Sequence, residues 1–220
     1  MKKLIIFDLD GTLLNTIDDI MDATNQALSK LNFPTHDVNK YKIFVGNGID
    51  KMFERALPNG EKTTENISKM RDLFLPYYAK HGKDKTAPYQ GIKETLLSLK
   101  QKGIKIAVAS NKFHEGTLAV MNEYFFDIPF DVIFGLRDGH QPKPNPGIVF
   151  DILSECQISN KNDVLYVGDT SIDMQTAANA GIEKIAVTWG FRSREELLSC
   201  QPEYIIDQPK EILEIIKKAE

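Results

Sequence analysis

Two aspartates one residue apart, Asp8 and Asp10, stand directly after the apolar run Leu4-Ile5-Ile6-Phe7 and directly before Gly11-Thr12. A carboxylate is a hard metal ligand, a nucleophile and a proton carrier. Two of them beside a flexible turn and a hydroxyl suggest a metal-assisted site for an anionic substrate. An Asp-Gly turn after a core strand would explain Gly11 and one of the aspartates. It does not explain the matching residues further along: Ser110-Asn111-Lys112, then Lys143 between Pro142 and Pro144, then Gly168-Asp169-Thr170-Ser171-Ile172-Asp173. Four carboxylates, a hydroxyl and a lysine fit phosphoryl transfer. A hard divalent cation removes the repulsion between a phosphate dianion and an attacking carboxylate, and Mg²⁺ takes a few carboxylate oxygens, leaving room for substrate. Lysine and hydroxyl donors hold the other phosphoryl oxygens. One acid attacks as the nucleophile, and a second protonates the leaving oxygen and then activates water.

These residues meet only if the chain folds so that their strands end at one edge. Leu4 to Phe7 is apolar on both faces, as in a buried parallel strand. Ile104 to Ala109, Val132 to Phe134, Val164 to Val167 and Ile185 to Val187 are further short, β-branched runs. Helical spacing joins Ile92, Leu96 and Leu99, and again Val149, Ile152, Leu153 and Cys156. Gly103 reads as a helix stop, and Asn145-Pro146 as a helix start. The alternation predicts an α/β fold, a Rossmann-like parallel sheet with helices on both faces, with ligands at the carboxyl ends of the strands.

One interval breaks that rhythm. From Asp10 to Ile104 no strand is expected, and the gap far exceeds one crossover helix. Ile17, Ile20, Met21, Thr24, Leu28 and Leu31 mark one helix face, and Asn47 to Leu57 and Ile67 to Ala79 suggest two more helices, the last interrupted by Pro76. The expected division is an α/β core of residues 1–14 and 86–220 and an inserted all-helical cap of residues 15–85, placed to act as a lid.

Composition sets outer bounds. The chain has 220 residues, 42% of them hydrophobic, enough for a real core, and its formal charge of −4 argues against nucleic acid or an anionic membrane as partner. Two cysteines, Cys156 and Cys200, make no disulfide framework and fit a reducing compartment. No stretch is long enough to span a bilayer. Lys2-Lys3 before an apolar run hints at a signal peptide, but Asp8 and Asp10 end that run too early. A cytoplasmic protein, monomeric or weakly dimeric, is expected.

The ordered set Asp8-Leu9-Asp10-Gly11-Thr12-Leu13, Ser110, Lys143 and Gly168-Asp169-Thr170 with Asp173 resembles the four motifs of the haloacid dehalogenase-like superfamily, within it the magnesium-dependent phosphatases. The resemblance covers nearly the whole chain. It implies that Asp8 is the nucleophile and a metal ligand, and that Asp10 is the general acid/base with its backbone carbonyl on the metal. Asp169 would be the other protein ligand of Mg²⁺, and Asp173 would support the metal site or orient Lys143. Ser110 and Lys143 would bind the phosphoryl group, with backbone N–H groups near Leu9 and Asn111. An aspartate at position 10 favours phosphate ester chemistry, because the family's dehalogenases lack it and its phosphonate-cleaving members carry alanine there. In the insert, Phe44-Val45-Gly46-Asn47-Gly48 followed by Arg55-Ala56-Leu57 is similar to the cap motif of phosphoglycolate phosphatases. So are Ala87-Pro88-Tyr89-Gln90-Gly91 and Val187-Thr188-Trp189-Gly190-Phe191. One departure is Asn15, where the family commonly has aspartate.

The bland readings weigh unequally against this set. Gly46, Asn47 and Gly48 read equally well as a loop capping the next helix and as substrate contacts. Asp173 could simply favour a helix N-terminus. Lys51 and Arg55 read as solvated cap charges, His81, His114 and His140 as surface or structural residues, and Trp189 as packing. The expected function is a Mg²⁺-dependent phosphatase acting on a small phosphorylated metabolite such as 2-phosphoglycolate. The rivals are a sugar phosphomutase or a pyrophosphatase of the same family, and a phospho-receiver module. The last needs neither the helical insert nor Asp10.

Overall fold

The computed structural model describes residues 2–218. Six strands form one parallel sheet: β1 (Leu4–Phe7), β4 (Lys105–Phe113), β5 (Val132–Leu136), β6 (Val164–Gly168), β7 (Glu183–Val187) and β8 (Tyr204–Ile206). Their spatial order is β5-β4-β1-β6-β7-β8. β1 is central, with Leu4 to Phe7 paired to Lys105–Val108 on one side and to Val164–Val167 on the other. It is buried throughout, as its apolar run requires.

Alternate side chains of these strands feed two apolar layers. Ile5, Phe7, Ile106, Val108, Leu165 and Val167 face α5 (Ile92–Gln101), α6 (His114–Phe125) and α10 (Glu211–Lys218). Leu4, Ile6, Ala107, Ala109, Val164 and Tyr166 face α7 (Gly147–Glu155) and α8 (Ser171–Ala180). A short helix, α9 (Arg194–Ser199), covers Met174 and Ala186 through Leu197.

The long interval after β1 carries α1 (Ile17–Lys30), α2 (Val38–Phe44), α3 (Ile49–Ala56) and α4 (Thr64–His81). They share an apolar cluster of their own, which Phe191, arriving from the far side of β7, joins. Three expectations need correction here. The interval is not free of strands: β2 (Leu14–Asn15) and β3 (Ala87–Pro88) form an antiparallel ribbon where the chain leaves the sheet and returns. Asn15 stands exposed on it. A fourth helix, α2, buries only Tyr41 and so shows no apolar period; the Asp37 carboxylate caps it, accepting from Asn39 N (2.8 Å) and Lys40 N (3.2 Å). Finally, α4 runs through Pro76 unbroken. Proline inside a helix costs about 3 kcal/mol. Met70, Phe74 and Tyr78, one turn apart and all buried, offset it at about 1.5–3 kcal/mol for each large apolar side chain buried. Phe74 stacks on Tyr78 at 5.0 Å and meets Phe53 edge-on at 5.3 Å.

The strap back to the sheet is fixed by Asp19 of α1, which accepts from Thr86 N (2.8 Å), Thr86 Oγ1 (2.7 Å) and Lys85 N (3.1 Å). No helix among the described residues is long and apolar enough to cross a membrane.

Candidate active site

The carboxyl ends of β1, β4 and β6 converge as the topology requires. Asp8 follows β1, Ser110 and Lys112 lie near the carboxyl end of β4, and Asp169 follows β6. Lys143 arrives from the loop before α7, and Asp173 from the first turn of α8.

Lys143 is the hub of the charged cluster. Its buried ammonium donates to Asp8 Oδ1 (2.8 Å), Asp173 Oδ1 (2.7 Å) and the Ala109 carbonyl (2.9 Å), with Tyr166 Oη at 3.1 Å. Burial alone would lower its proton affinity, but Asp173 and Asp8 more than reverse that, so it stays charged. Asp173 does two jobs. Its Oδ1 meets Lys143, and its Oδ2 accepts from Thr170 N (3.1 Å) and Thr170 Oγ1 (2.6 Å), closing a capping box at the start of α8. Asp173 thus stands at the start of α8 and against Lys143 at once.

Asp8, Asp169 and Asp173 each bring a carboxylate oxygen within 4.8 Å of the others, all buried. Burial, then the neighbouring Asp173, raises the Asp8 carboxyl well above the ordinary range, against the opposing pull of Lys143. The same two causes push Asp169 up to about 7, although it accepts from Phe191 N (2.7 Å) and Thr12 Oγ1 (3.0 Å). Buried acids that resist ionising beside one another are what a hard divalent cation relieves, and the donors are all oxygens. The set fits Mg²⁺. The side chain of Asp10 lies outside this trio and turns instead toward Lys112.

The turns that seat these acids depend on glycine. Gly11 has φ +92°, and a Cβ there would lie 2.3 Å from Asp169 Oδ2. A Cβ on Gly190 would lie 2.3 Å from the Asp169 Cβ, and one on Gly168 the same distance from the Asp173 Cβ.

A cavity of about 50 Å³ opens between these acids and the helical insert. Asp8, Asp10, Ser110, Asn111, Lys112 and Thr170 form its floor, and Val45, Gly46, Gly48, Ile49, Met52 and Phe74 contribute to its roof. The Ser110 hydroxyl accepts from Lys112 N (3.1 Å), which leaves its proton to donate. Among the three insert residues singled out by sequence, Gly46 and Gly48 line the cavity. Asn47 does not, and its Oδ1 accepts from Arg55 Nη2 (2.7 Å).

Several residues play parts that the sequence reading did not give them. Arg55 is no free solvated charge: it also donates to the Phe44 carbonyl (2.7 Å), while Arg192 donates to the Val45 carbonyl (2.7 Å), so two guanidinium groups clamp the Ile43–Gly48 loop. The Asn111 side chain is fully engaged: Nδ2 donates to the Gly46 carbonyl (2.9 Å) and the Lys143 carbonyl (3.0 Å), and Oδ1 accepts from Lys143 N (2.8 Å). Its side chain therefore has nothing to offer a phosphoryl oxygen, and any donation from Asn111 would come from the backbone. Lys51, in contrast, pairs with Glu54 in solvent as expected. His114 Nδ1 accepts from Gly135 N, and Trp189 Nε1 donates to the Thr12 carbonyl, both structural. Lys112 is the main omission. Its buried ammonium donates to Tyr78 Oη of α4 (2.8 Å) and lies 3.3 Å from Asp10 Oδ1. The strand period of two puts Lys112 on the same side of β4 as Ser110, a signal available in the Ser-Asn-Lys triplet.

A family model described as haloacid dehalogenase-like hydrolase matches residues 5–187. The phosphoglycolate phosphatase of Vibrio parahaemolyticus is 32% identical over 219 residues, covering 97% of this chain and 96% of that protein. That of Pectobacterium atrosepticum is 30% identical over 214 residues, covering 96% and 91%. The crystal structure of a predicted phosphoglycolate phosphatase from Haemophilus somnus superimposes with a TM-score of 0.90 at 29% identity, covering 98% of both chains.

Proposed function

The chain belongs to the haloacid dehalogenase-like hydrolases and is a phosphatase, and from that premise we propose that it hydrolyses a short phosphomonoester, 2-phosphoglycolate foremost, through a phosphorylated Asp8. The observation that carries this reading is the Lys143 ammonium held between Asp8 and Asp173 while Asp169 completes a buried trio of acids. The relatives' shared description supplies the substrate.

In this reading Asp8, Asp169 and Asp173 hold Mg²⁺, directly or through water, with the Asp10 backbone carbonyl. When bound, the cation neutralises charge on the phosphoryl oxygens and favours the ionised acids. Lys143 fixes Asp8 Oδ1, leaving the other carboxylate oxygen to attack phosphorus. The bond from phosphorus to the ester oxygen breaks as the new bond to Asp8 forms. The Ser110 hydroxyl and the N–H of Asn111 donate to the transferring oxygens. Asp10 gives its proton to the departing alkoxide. The resulting carboxylate then takes a proton from water, which attacks phosphorus and frees Asp8. Residues 15–85 act as the cap, roofing the cavity with apolar side chains so that bulk water stays out during the first step. The two free thiols, Cys156 buried and Cys200 half-buried, fit a reducing cytoplasm.

The test is phosphate release, with Mg²⁺ or with EDTA, across 2-phosphoglycolate, hexose phosphates, nucleotides and pyrophosphate, with Asp8→Asn alongside. Metal-dependent release that prefers 2-phosphoglycolate and vanishes in Asp8→Asn supports the reading. Full turnover by Asp8→Asn sinks the mechanism. An isomerised sugar phosphate that needs a bisphosphate activator reassigns the chain to the mutases.

A further inference from the structure

The cavity facing the acids is roofed by apolar side chains, yet one of its lining residues is an ammonium. Lys112 is the only lysine or arginine among the residues lining it. It is buried, and it lies against the Asp10 carboxylate and the Tyr78 hydroxyl. An ammonium carries three donors. One goes to Tyr78 Oη at 2.8 Å. One is shared at longer range by the two Asp10 oxygens, at 3.3 and 3.4 Å. Both Asp10 contacts are long, so an anionic group entering the cavity can take one of those donors without costing the Tyr78 bond. Arg55 and Arg192, the nearby guanidinium groups, are turned onto carbonyls of the Ile43–Gly48 loop and line no part of the cavity.

We propose that Lys112 is a specificity residue that receives an anionic group on the leaving alcohol, a carboxylate close to the ester-bearing carbon. The inference rests on the reading of Asp8 and Asp10 given above and goes beyond it by assigning the leaving-group subsite. The length limit follows from distance. Asp10 must reach the leaving oxygen, and Lys112 Nζ lies 3.3 Å from Asp10 Oδ1. A leaving oxygen bonded to Asp10 and an anionic group bonded to Lys112 at about 2.9 Å therefore sit beside the same carboxylate, which favours a short alcohol. The side chains of Ile20, Val45, Ile49, Met52 and Phe74 above it are apolar and offer an anionic group no counter-charge. Tyr78 is a positioning residue. It projects from α4 of the insert and holds the ammonium of a core strand, so the subsite is complete only when the insert sits on the core.

The experiment compares 2-phosphoglycolate with its amide, the same ester without the charge, in Mg²⁺. Wild type, Lys112→Met and Tyr78→Phe are measured, with kcat/KM as the readout. Wild type should prefer the carboxylate. Lys112→Met should shrink that preference by between about ten- and about a hundredfold, the weight of one charge-assisted hydrogen bond. Its rate on the amide should fall by the smaller factor. Tyr78→Phe keeps the ammonium and the apolar ring, and should shrink the preference about three- to tenfold, mainly through KM. It decides the matter if Lys112→Met does not fold. No carboxylate preference in wild type, or one that survives both variants, overturns the proposal while leaving phosphatase action intact. Failure of wild type to hydrolyse either ester overturns the underlying reading instead.

Discussion

Replacing Asp169 with asparagine should stabilise the metal-free protein while destroying its activity. Asp169 is fully buried, and its carboxyl is pushed from 3.8 up to about 7 by burial and by Asp173. Between 3.8 and about 7 the folded protein keeps a proton that the unfolded chain has released, so stability falls as pH rises across that window. Above it the whole penalty is present, about 4 kcal/mol; at pH 5 it is about 2 kcal/mol. Asparagine has nearly the same shape, never ionises, and keeps an acceptor for Phe191 N–H. In EDTA at pH 8, Asp169→Asn should therefore melt on the order of 10 °C above wild type. At pH 5 the gap should narrow by about half. Added Mg²⁺ should raise the wild-type melting temperature by mass action and hardly move the variant. Thermal melts at the two pH values, with and without metal, are the assay. A gap independent of pH, or a variant less stable than wild type at pH 8, refutes the reasoning.

Three other outcomes follow from the same geometry. Lys143→Met leaves Asp8 and Asp173 facing each other without a counter-charge and should cost about 3–5 kcal/mol in urea unfolding at pH 8. The loss should shrink as pH falls, because the raised Asp8 carboxyl takes up its proton earlier than an ordinary aspartate. Gly11→Ala forces a Cβ to within 2.3 Å of Asp169 Oδ2 at φ +92°, and should lower stability by about 1–3 kcal/mol and weaken Mg²⁺ binding measured by calorimetry. Arg55→Ala frees Asn47 and the Phe44 carbonyl, so steady-state kinetics should show KM rising about three- to tenfold with kcat less affected.

Much of this was legible in the chain because parallel strands buried on both faces announce themselves. β1 and β6 are continuous apolar runs with acids at their carboxyl ends, and β4 and β7 carry apolar stretches that place them beside these two. β8 was not legible, since a three-residue edge strand has too little pattern. Nor was α2, where one buried tyrosine in seven residues leaves no period. The expected break at Pro76 failed because tertiary packing of Met70, Phe74 and Tyr78 outweighs local propensity. In the site, Asp8, Ser110, Asp169 and Asp173 sit at strand ends or a helix start, where the alternation of elements points, and Lys143 stands out between two prolines. Tyr78 could not, because its hydroxyl reaches Lys112 across the boundary between α4 and β4, a relation that no local pattern encodes. The pairing of Arg55 with Asn47 was not legible either, because it is set by a turn within the insert rather than by periodicity.

The central claim is that Asp8 carries the phosphoryl group during turnover. Rapid acid quenching of the enzyme during hydrolysis of 2-phosphoglycolate in Mg²⁺, followed by borohydride reduction and peptide mass mapping, tests it directly. An acyl phosphate at Asp8 is reduced to homoserine, so the account predicts that conversion at position 8 only, dependent on substrate and metal. Modification elsewhere, or phosphate release with Asp8 never labelled, would contradict it.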